Sequence, residues 1–238
     1  MKKYYEILIG GIAGSLRVSR IVHGKAWTGA ELSNGGFGIA MHTEGESIKR
    51  FFPSLEGMAA KDAAQAVMSW NMEEASEAMA VINAYYNSVP RLDSLGCRES
   101  FKRSITDGVE LEGKKVALIG HLKLHSEALA GAKKVYIIER DPRKGDYPDS
   151  ACEYILPECD VVIITGSAAV NKTMPRLLEL SEKAQTMIVG PTVPLCSELK
   201  ACGISRLSGM VVTDKAGIVS WMTKLSGSPY PYGDTFMI

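Results

Sequence analysis

The residues best suited to chemistry lie in short polar segments that follow apolar runs in the second half of the chain. His121 comes directly after the run 115–120, and Glu139 closes the next one. Lys172 lies in the polar segment after a third run. An imidazole can bind a metal or transfer a proton, and an ammonium group can stabilise an anion. His121 and Lys172 are therefore the candidate catalytic residues, as general acid or base and as electrophilic stabiliser respectively.

Metal ligation is an alternative use of the same segments. His121, Glu139 and Asp146 are the candidate ligands, because nitrogen and oxygen donors supplied by separate loops need leave no local motif. His121 and His125 also have the four-residue spacing of two ligands on one helical face, but His121 precedes the predicted helix and no HExxH pattern is present. The structural alternatives stay open: a histidine bonded to a backbone carbonyl, and a charged surface loop over residues 139–149.

The turn at Gly120 disfavours a dinucleotide cofactor. A dinucleotide fingerprint needs several glycines, so that the backbone can approach the pyrophosphate at a helix N-terminus. Here Gly120 is followed by His121 and Lys123, whose side chains occupy the space of a diphosphate. NAD and FAD are accordingly disfavoured. Glu139 still has the position of an acid that binds a ribose, so a nucleotide-like cofactor remains an alternative.

The elements that would position these residues form an α/β domain over residues 113–238. Short apolar runs at 115–120, 134–139, 160–166, 186–190 and 205–213 predict buried parallel strands. Helices are predicted between and after them, at 125–132, 174–183, 196–201 and 214–225. This alternation predicts a Rossmann-like, doubly wound parallel sheet, in which every strand-to-helix loop lies at one edge. Lys172 is the one cation expected at that edge.

The first 88 residues predict a small α+β domain, which a polar connection at 89–112 joins to the second. A helix is predicted over residues 2–9, a single strand over 19–32, and a partner strand over 37–43 after the turn "SNGG". Two Ala-rich segments predict helices, the second starting at Asn71. Asn71, Glu74 and Asn83 are expected at the helix surface. Trp27 is expected in the core, or, as the alternative, exposed at the domain junction and stacked on a planar ligand. His23 and His42 are isolated in the sequence, and no functional role is predicted for either.

The composition of the chain limits the classes of molecule that it is expected to bind and the compartment in which it is expected to lie. The 238 residues include 27 Lys plus Arg and 27 Asp plus Glu, so no net charge favours nucleic acid or an anionic membrane. No apolar run reaches the ~18 residues of a membrane span. Five cysteines without a CxxC pair predict reduced thiols in a cytoplasmic protein. Association into a homo-oligomer is left open.

Several of these motifs together resemble a known family. "KVALIGH", "VYIIERDPRKGDYPDSACEYILPECDVVIITGSAAVNKTMPRLLEL", "VGPTVPL" and "GMVVTD", with "IVHGKAWTGAEL" and "EASEAMAVINAYYN" before them, are similar to the family described as "putative heavy-metal chelation". The resemblance implies an enolase-N-terminal-like domain followed by a Rossmann-like domain, with a cleft between the two. The candidate ligand-binding residues fall in segments that would line this cleft: Gly120, His121, Glu139, Gly166, Ser167, Asn171, Lys172, Pro191 and Thr192.

Three functional hypotheses follow. The first is a protein that binds a metal ion, or a small metal-bearing or anionic ligand, in the cleft. The second is an enzyme of the transferase or lyase type, which would act on a small anionic metabolite in the same cleft. The third is a scaffold that mainly self-associates.

Overall fold

The computed structural model describes residues 2–43, 48–95, 104–122, 124, 126–225 and 227–238. The N-terminal part contains a three-stranded antiparallel sheet, with β1 at Val18–His23, β2 at Trp27–Leu32 and β3 at Phe37–Met41. The predicted single strand over 19–32 is thus wrong, because the chain turns at Gly24. The Gly24 N–H donates to the Trp27 carbonyl at 2.8 Å, and a Cβ at Gly24 would lie 2.7 Å from the Met222 carbonyl oxygen.

Four helices belong to this part of the chain, and one of them packs on the small sheet. They are α1 (Lys2–Gly10), α2 (Ala60–Ala63, continued as a 3-10 turn over Ala64–Met68), α3 (Met72–Tyr86) and α4 (Val89–Ser94). Helix α3 lies directly on β2 and β3, and its many alanines permit the close approach. Gly38 of β3 is the tightest point, since a Cβ there would lie 2.1 Å from the Ala84 nitrogen.

Three polar residues of α3 and its cap are buried, so the expectation that they lie at the surface is wrong. The Asn71 side chain accepts the Glu74 N–H at 3.0 Å, which confirms the predicted helix start. Glu74 is fully buried, and its carboxylate accepts hydrogen bonds from the backbone of Phe51 and Phe52. The Asn83 amide donates to the Ile39 carbonyl at 2.8 Å. Each residue therefore satisfies backbone or loop groups that would otherwise be buried without partners.

The C-terminal part is built on a seven-stranded sheet, which confirms the predicted α/β class. Its strands run in the order β10-β9-β8-β7-β4-β5-β6, and all pairs are parallel except β9 with β10. The strand order reverses between β4 and β7. The strands are β4 (Lys115–Ile119), β5 (Lys134–Glu139), β6 (Tyr147–Pro148), β7 (Val161–Thr165), β8 (Gln185–Val189), β9 (Ile204–Val212) and β10 (Gly233–Met237).

Most predicted helices of this part are shorter than expected. The helices are α5 (Cys152–Ile155), α6 (Met174–Leu180) and α7 (Lys215–Lys224), and the predicted helix over 196–201 is a 3-10 turn at Ser197–Cys202. The described part of the helix predicted over 125–132 is likewise a 3-10 turn, at Ser126–Leu129. Strand β10 was not predicted, because "GDTFM" lacks the apolar run of a buried strand; it pairs along the edge of β9.

The side chain of Asn87 joins the two parts of the chain through buried hydrogen bonds. The amide of Asn87 donates to the carbonyls of Val193 and Met210 at 2.8 and 3.1 Å, and its oxygen accepts the Leu195 N–H at 2.8 Å. Elsewhere in the contact, Trp27 packs on Trp221, whose ring centroid is 5.5 Å away, and Lys215 pairs with Glu31 at 2.6 Å. The contact therefore holds the end of α3 against the loop that follows β8.

Two further sequence predictions concern membranes and thiols. Among the described residues, no helix is long and apolar enough to cross a membrane. Cys152, Cys159, Cys196 and Cys202 are free thiols, and the first three are buried. Cys97 lies outside the described residues.

Candidate functional site

A cavity of about 770 Å³ opens at the carboxyl edge of the large sheet. It lies where the strand order reverses between β4 and β7, the usual ligand position in an open α/β sheet. Its volume is in the range of small-molecule sites. Met41, at the end of β3, contributes one lining side chain from the N-terminal part. The remaining lining residues come from the ends of β4, β5 and β7, from the segments that follow these strands, and from α5 and α6.

His121 lies between two carboxylates at the rim of this cavity. Its Nδ1 is 3.0 Å from Glu139 Oε1, and its Nε2 is 2.6 Å from Asp146 Oδ2. The His121 backbone N–H also donates to Glu139 Oε1 at 2.6 Å. The ring can donate to both carboxylates only when both nitrogens carry hydrogen. The structure therefore brings together the three predicted metal ligands, and both ring nitrogens of His121 face a carboxylate.

Asp146 owes its position to the loop after β5. The Arg143 N–H donates to Asp146 Oδ2 at 2.7 Å, and this bond, followed by the one from His121, lowers the pKa of the carboxyl group. Glu139 is held in a similar way, because its second oxygen accepts the Arg140 N–H at 3.1 Å. Both acids thus orient the imidazole, and neither is simply a solvated surface group. His125, which was predicted to pair with His121, lies outside the described residues.

Lys172 is the most unusual residue of the cavity wall. Its backbone has φ = 70°, a left-handed conformation that residues with a side chain seldom adopt. Its Nζ donates to the Val170 carbonyl at 3.0 Å and lies 5.9 Å from the ring centre of Tyr5. Among the described residues, no carboxylate lies within 4.0 Å of Nζ. Burial without a counter-charge lowers the pKa of Lys172 to about 8.

Two arginines share the cavity wall, so the expectation of a single cation was wrong. Arg176 is neutralised by Glu153, to which it donates at 2.9 and 2.5 Å. Arg140 forms no ion pair with any carboxylate that the structure describes. The acids of the wall are Glu139, Asp149 and Glu153, so its formal charges balance. The described carboxylates nevertheless leave Lys172 and Arg140 without an ion pair.

The predicted ligand-binding residues divide into two groups. Six of them line the cavity, and the other three support its walls. Gly166 packs against the loop after β8, where a Cβ would lie 2.7 Å from Val193 Cγ2. Thr192 is buried and accepts the Met41 N–H at 3.1 Å, and Pro191 precedes it in the same turn. The six lining residues are Gly120, His121, Glu139, Ser167, Asn171 and Lys172.

The sequence predictions missed two sulfur-bearing residues of the wall, Met41 and Cys152. Burial, with smaller contributions from Asp149 and Glu153, raises the pKa of the Cys152 thiol to about 11. At neutral pH this thiol is protonated and is a poor metal ligand. Met41 ends a strand of the N-terminal part and Cys152 begins a short helix, and no spacing in the sequence distinguishes them from core residues.

A second polar cluster lies outside the cavity, on the N-terminal part. His23, at the end of β1, faces Glu73 and Glu77 of α3, and ligand atoms of all three residues lie within 4.8 Å of one another. The His42 ring is 6.4 Å from that of His23. These histidines, isolated in sequence, therefore come together in the fold. The signal available beforehand was the four-residue spacing of the two glutamates, which places them on one helical face.

Two family profiles match the chain, and both are described as "putative heavy-metal chelation". One, named DUF4213, matches residues 5–86, and the other, named DUF364, matches residues 107–228. An uncharacterized protein of Methanocaldococcus jannaschii is 32% identical over 108 residues, which cover 42% of this chain and 42% of that protein. The matched stretch thus spans less than half of that relative's length.

Two crystal structures of DUF364 proteins have the same overall fold. The protein from Desulfitobacterium hafniense is 34% identical, with a TM-score of 0.89 over 100% of this chain and 98% of that one. The protein from Pyrococcus horikoshii is 27% identical, with a TM-score of 0.80 over 100% and 96% of the two chains. Both are described as having unknown function.

Proposed function

Since this chain belongs to the DUF364 family, described as "putative heavy-metal chelation", we propose that its cavity binds a small anionic molecule that carries a heavy-metal ion. The family membership confirms the resemblance found in the sequence motifs. The observation that carries the proposal is Lys172, a largely buried ammonium group without a described counter-charge in a cavity of about 770 Å³. A buried cation without a partner is costly unless a ligand supplies the opposite charge.

The contacts of His121 favour the binding of a metal that is already held by a chelator over the binding of a bare ion. Both ring nitrogens contact carboxylates, at 3.0 and 2.6 Å, so a bare ion would have to displace Glu139 or Asp146 to reach the imidazole. The Cys152 thiol is protonated at neutral pH, since its pKa is about 11. A metal that arrives within its own organic chelator needs neither group as a ligand. The cavity then has to recognise only the shape and the charge of the complex.

In this proposal each part of the wall has a distinct role. Lys172 and Arg140 attract the anionic groups of the ligand, and Ser167 and Asn171 offer polar groups near the loop after β7. The carboxylates of Glu139 and Asp146 hold the His121 ring in place at the cavity wall. The apolar side chains at the strand ends surround the ligand and exclude water, which strengthens these charge interactions.

Calorimetry with two nickel complexes tests this proposal. The probes are Ni²⁺–citrate and Ni²⁺–EDTA, compared with NiCl₂ and citrate alone. We expect at least one complex to bind, and a concentration near 100 times its Kd to stabilise the protein by about 2.7 kcal/mol. Lys172→Met should weaken that binding at least tenfold, whereas Lys183→Met, which changes an exposed lysine, should leave it unchanged.

The pH dependence gives a second test of the same site. Affinity should fall as the pH rises through about 8, because Lys172 then loses the charge that the anionic complex needs. In Lys172→Met this component should vanish. The proposal fails if neither complex binds the wild-type protein, or if Lys172→Met binds them as tightly as the wild type.

A further inference from the structure

The cluster on the N-terminal part has the composition of a metal site of its own. His23 supplies an imidazole from the end of β1, and Glu73 and Glu77 supply carboxylates from consecutive turns of α3. Imidazole and carboxylate donors together suit divalent ions such as Zn²⁺, Mn²⁺ and Co²⁺. Among the described residues, no other group of three such side chains brings its ligand atoms this close together.

The distances within the cluster favour a shared ion over direct hydrogen bonds. His23 Nδ1 is 3.8 Å from Glu73 Oε1, and His23 Nε2 is 3.4 Å from Glu77 Oε1. Both exceed the ~3.2 Å limit of an ordinary N–H···O bond. One ion can bind only one of the two ring nitrogens. One ligand atom from each of the three residues lies within 4.8 Å of the other two, so a rotation of the side chains would bring them to the roughly 3.0–3.5 Å that separates atoms bound to one ion at about 2.1 Å.

The charges of the surrounding side chains are a second, independent reason to expect a bound cation. Arg50 donates to both oxygens of Glu77 at 2.8 Å, and it lies 3.2 Å from Glu73 and 4.0 Å from Glu74. One guanidinium thus faces three carboxylates. Arg50 and the three glutamates together have a formal charge of about −2, which a divalent ion would cancel.

We propose that His23, Glu73 and Glu77 bind a divalent first-row transition-metal ion, and that Arg50 is the internal cation that holds the two glutamates when the ion is absent. This site is separate from the cavity. About half of the His23 and Glu73 side chains is exposed, so an ion can enter from solvent, whereas Glu77 is buried beneath them. His42 stands beside the site, with its Nε2 bonded to Thr28 Oγ1 at 2.7 Å.

Titration of the full-length protein with ZnCl₂ by calorimetry, and with CoCl₂ by visible absorption, tests this assignment. We expect one ion per chain at this site, and a loss of affinity of at least tenfold in His23→Ala and in Glu73→Gln. These two residues are half-exposed, so both variants should fold. Glu182→Gln is the matched control, because it removes an exposed carboxylate elsewhere, and it should bind like the wild type.

Arg50→Gln separates a metal site from a purely structural ion pair. Without the competing guanidinium, Zn²⁺ should bind more tightly than in the wild type and should restore the thermal stability that the variant loses. If Arg50→Gln neither gains affinity nor is rescued by Zn²⁺, or if His23→Ala binds Zn²⁺ and Co²⁺ normally, the assignment is wrong.

This test is independent of the one for the cavity. Lys172→Met should leave the binding of free Zn²⁺ unchanged, and His23→Ala should leave the binding of nickel complexes unchanged. Either proposal can therefore fail without the other.

Discussion

Replacing Lys172 with methionine should make the protein more stable while it weakens ligand binding. Methionine keeps much of the length of the side chain and fills the same space without a charge. The folded protein currently holds an ammonium group that is largely buried and has no described carboxylate within 4.0 Å. Removing that charge removes a penalty, so the expected sign is opposite to that of most substitutions in a protein interior.

The magnitude follows from the pKa of Lys172. Burial lowers it from 10.5 to about 8, and each tenfold change in a dissociation constant corresponds to about 1.4 kcal/mol. Below pH 8 the lysine is charged in both the folded and the unfolded states, so the full penalty applies, at about 3 kcal/mol. Between pH 8 and 10.5 the folded protein has already lost the proton, and the penalty shrinks as the pH rises. Above 10.5 it disappears.

Urea denaturation at two pH values checks this expectation. Relative to wild type at the same pH, Lys172→Met should gain at most about 3 kcal/mol at pH 7 and about 1 kcal/mol at pH 10. Lys183→Met should stay within about 0.5 kcal/mol of wild type at either pH, because it changes an exposed side chain. A loss of stability at pH 7, or an equal gain at both values, would refute the reasoning that the buried ammonium is a cost retained for binding.

Two further predictions concern the fold that holds the sites. Asn87→Ala should destabilise the protein by about 2–4 kcal/mol in urea denaturation, since it leaves the Leu195 N–H and two carbonyls without their buried partner; a loss below 0.5 kcal/mol would contradict this role. Gly38→Ala should cost about 3 kcal/mol or more by the same assay, because its Cβ would lie 2.1 Å from the Ala84 nitrogen. The control Gly14→Ala, where no atom lies within 4 Å of the added Cβ, should be nearly neutral, and equal effects would refute the steric explanation.

The regular parts of the fold could be predicted because their signals are local. The run over 134–139 coincides with β5, and Asp214 caps α7 directly after β9, where the predicted helix begins. The turn at residues 24–26 was missed because its cause is not local. Gly24 is needed by its close approach to Met222, nearly two hundred residues away in sequence.

The candidate cavity could be predicted only in outline. Parallel strands bring their carboxyl ends to one edge, and this rule alone located Gly120, Glu139 and Asn171 in one place. The rule cannot show how a side chain is oriented. The contacts of His121 with two acids depend on the path of the loop after β5, where the Arg143 N–H fixes Asp146. Burial of Lys172 likewise depends on Tyr5, which comes from α1 at the other end of the chain.

The two proposed sites differ in the charge that they offer, and this difference decides what each can bind. A divalent ion in solution is attracted to the cluster of His23, Glu73 and Glu77, where carboxylates outnumber the single guanidinium of Arg50. The same ion is repelled by the unpaired cation Lys172 in the cavity. If the ion is enclosed in a chelator whose negative charge exceeds its own, the preference reverses, because the complex is an anion. Under these two proposals, one chain binds a free ion and a complexed ion at separate places, and the net charge of the metal species selects the site.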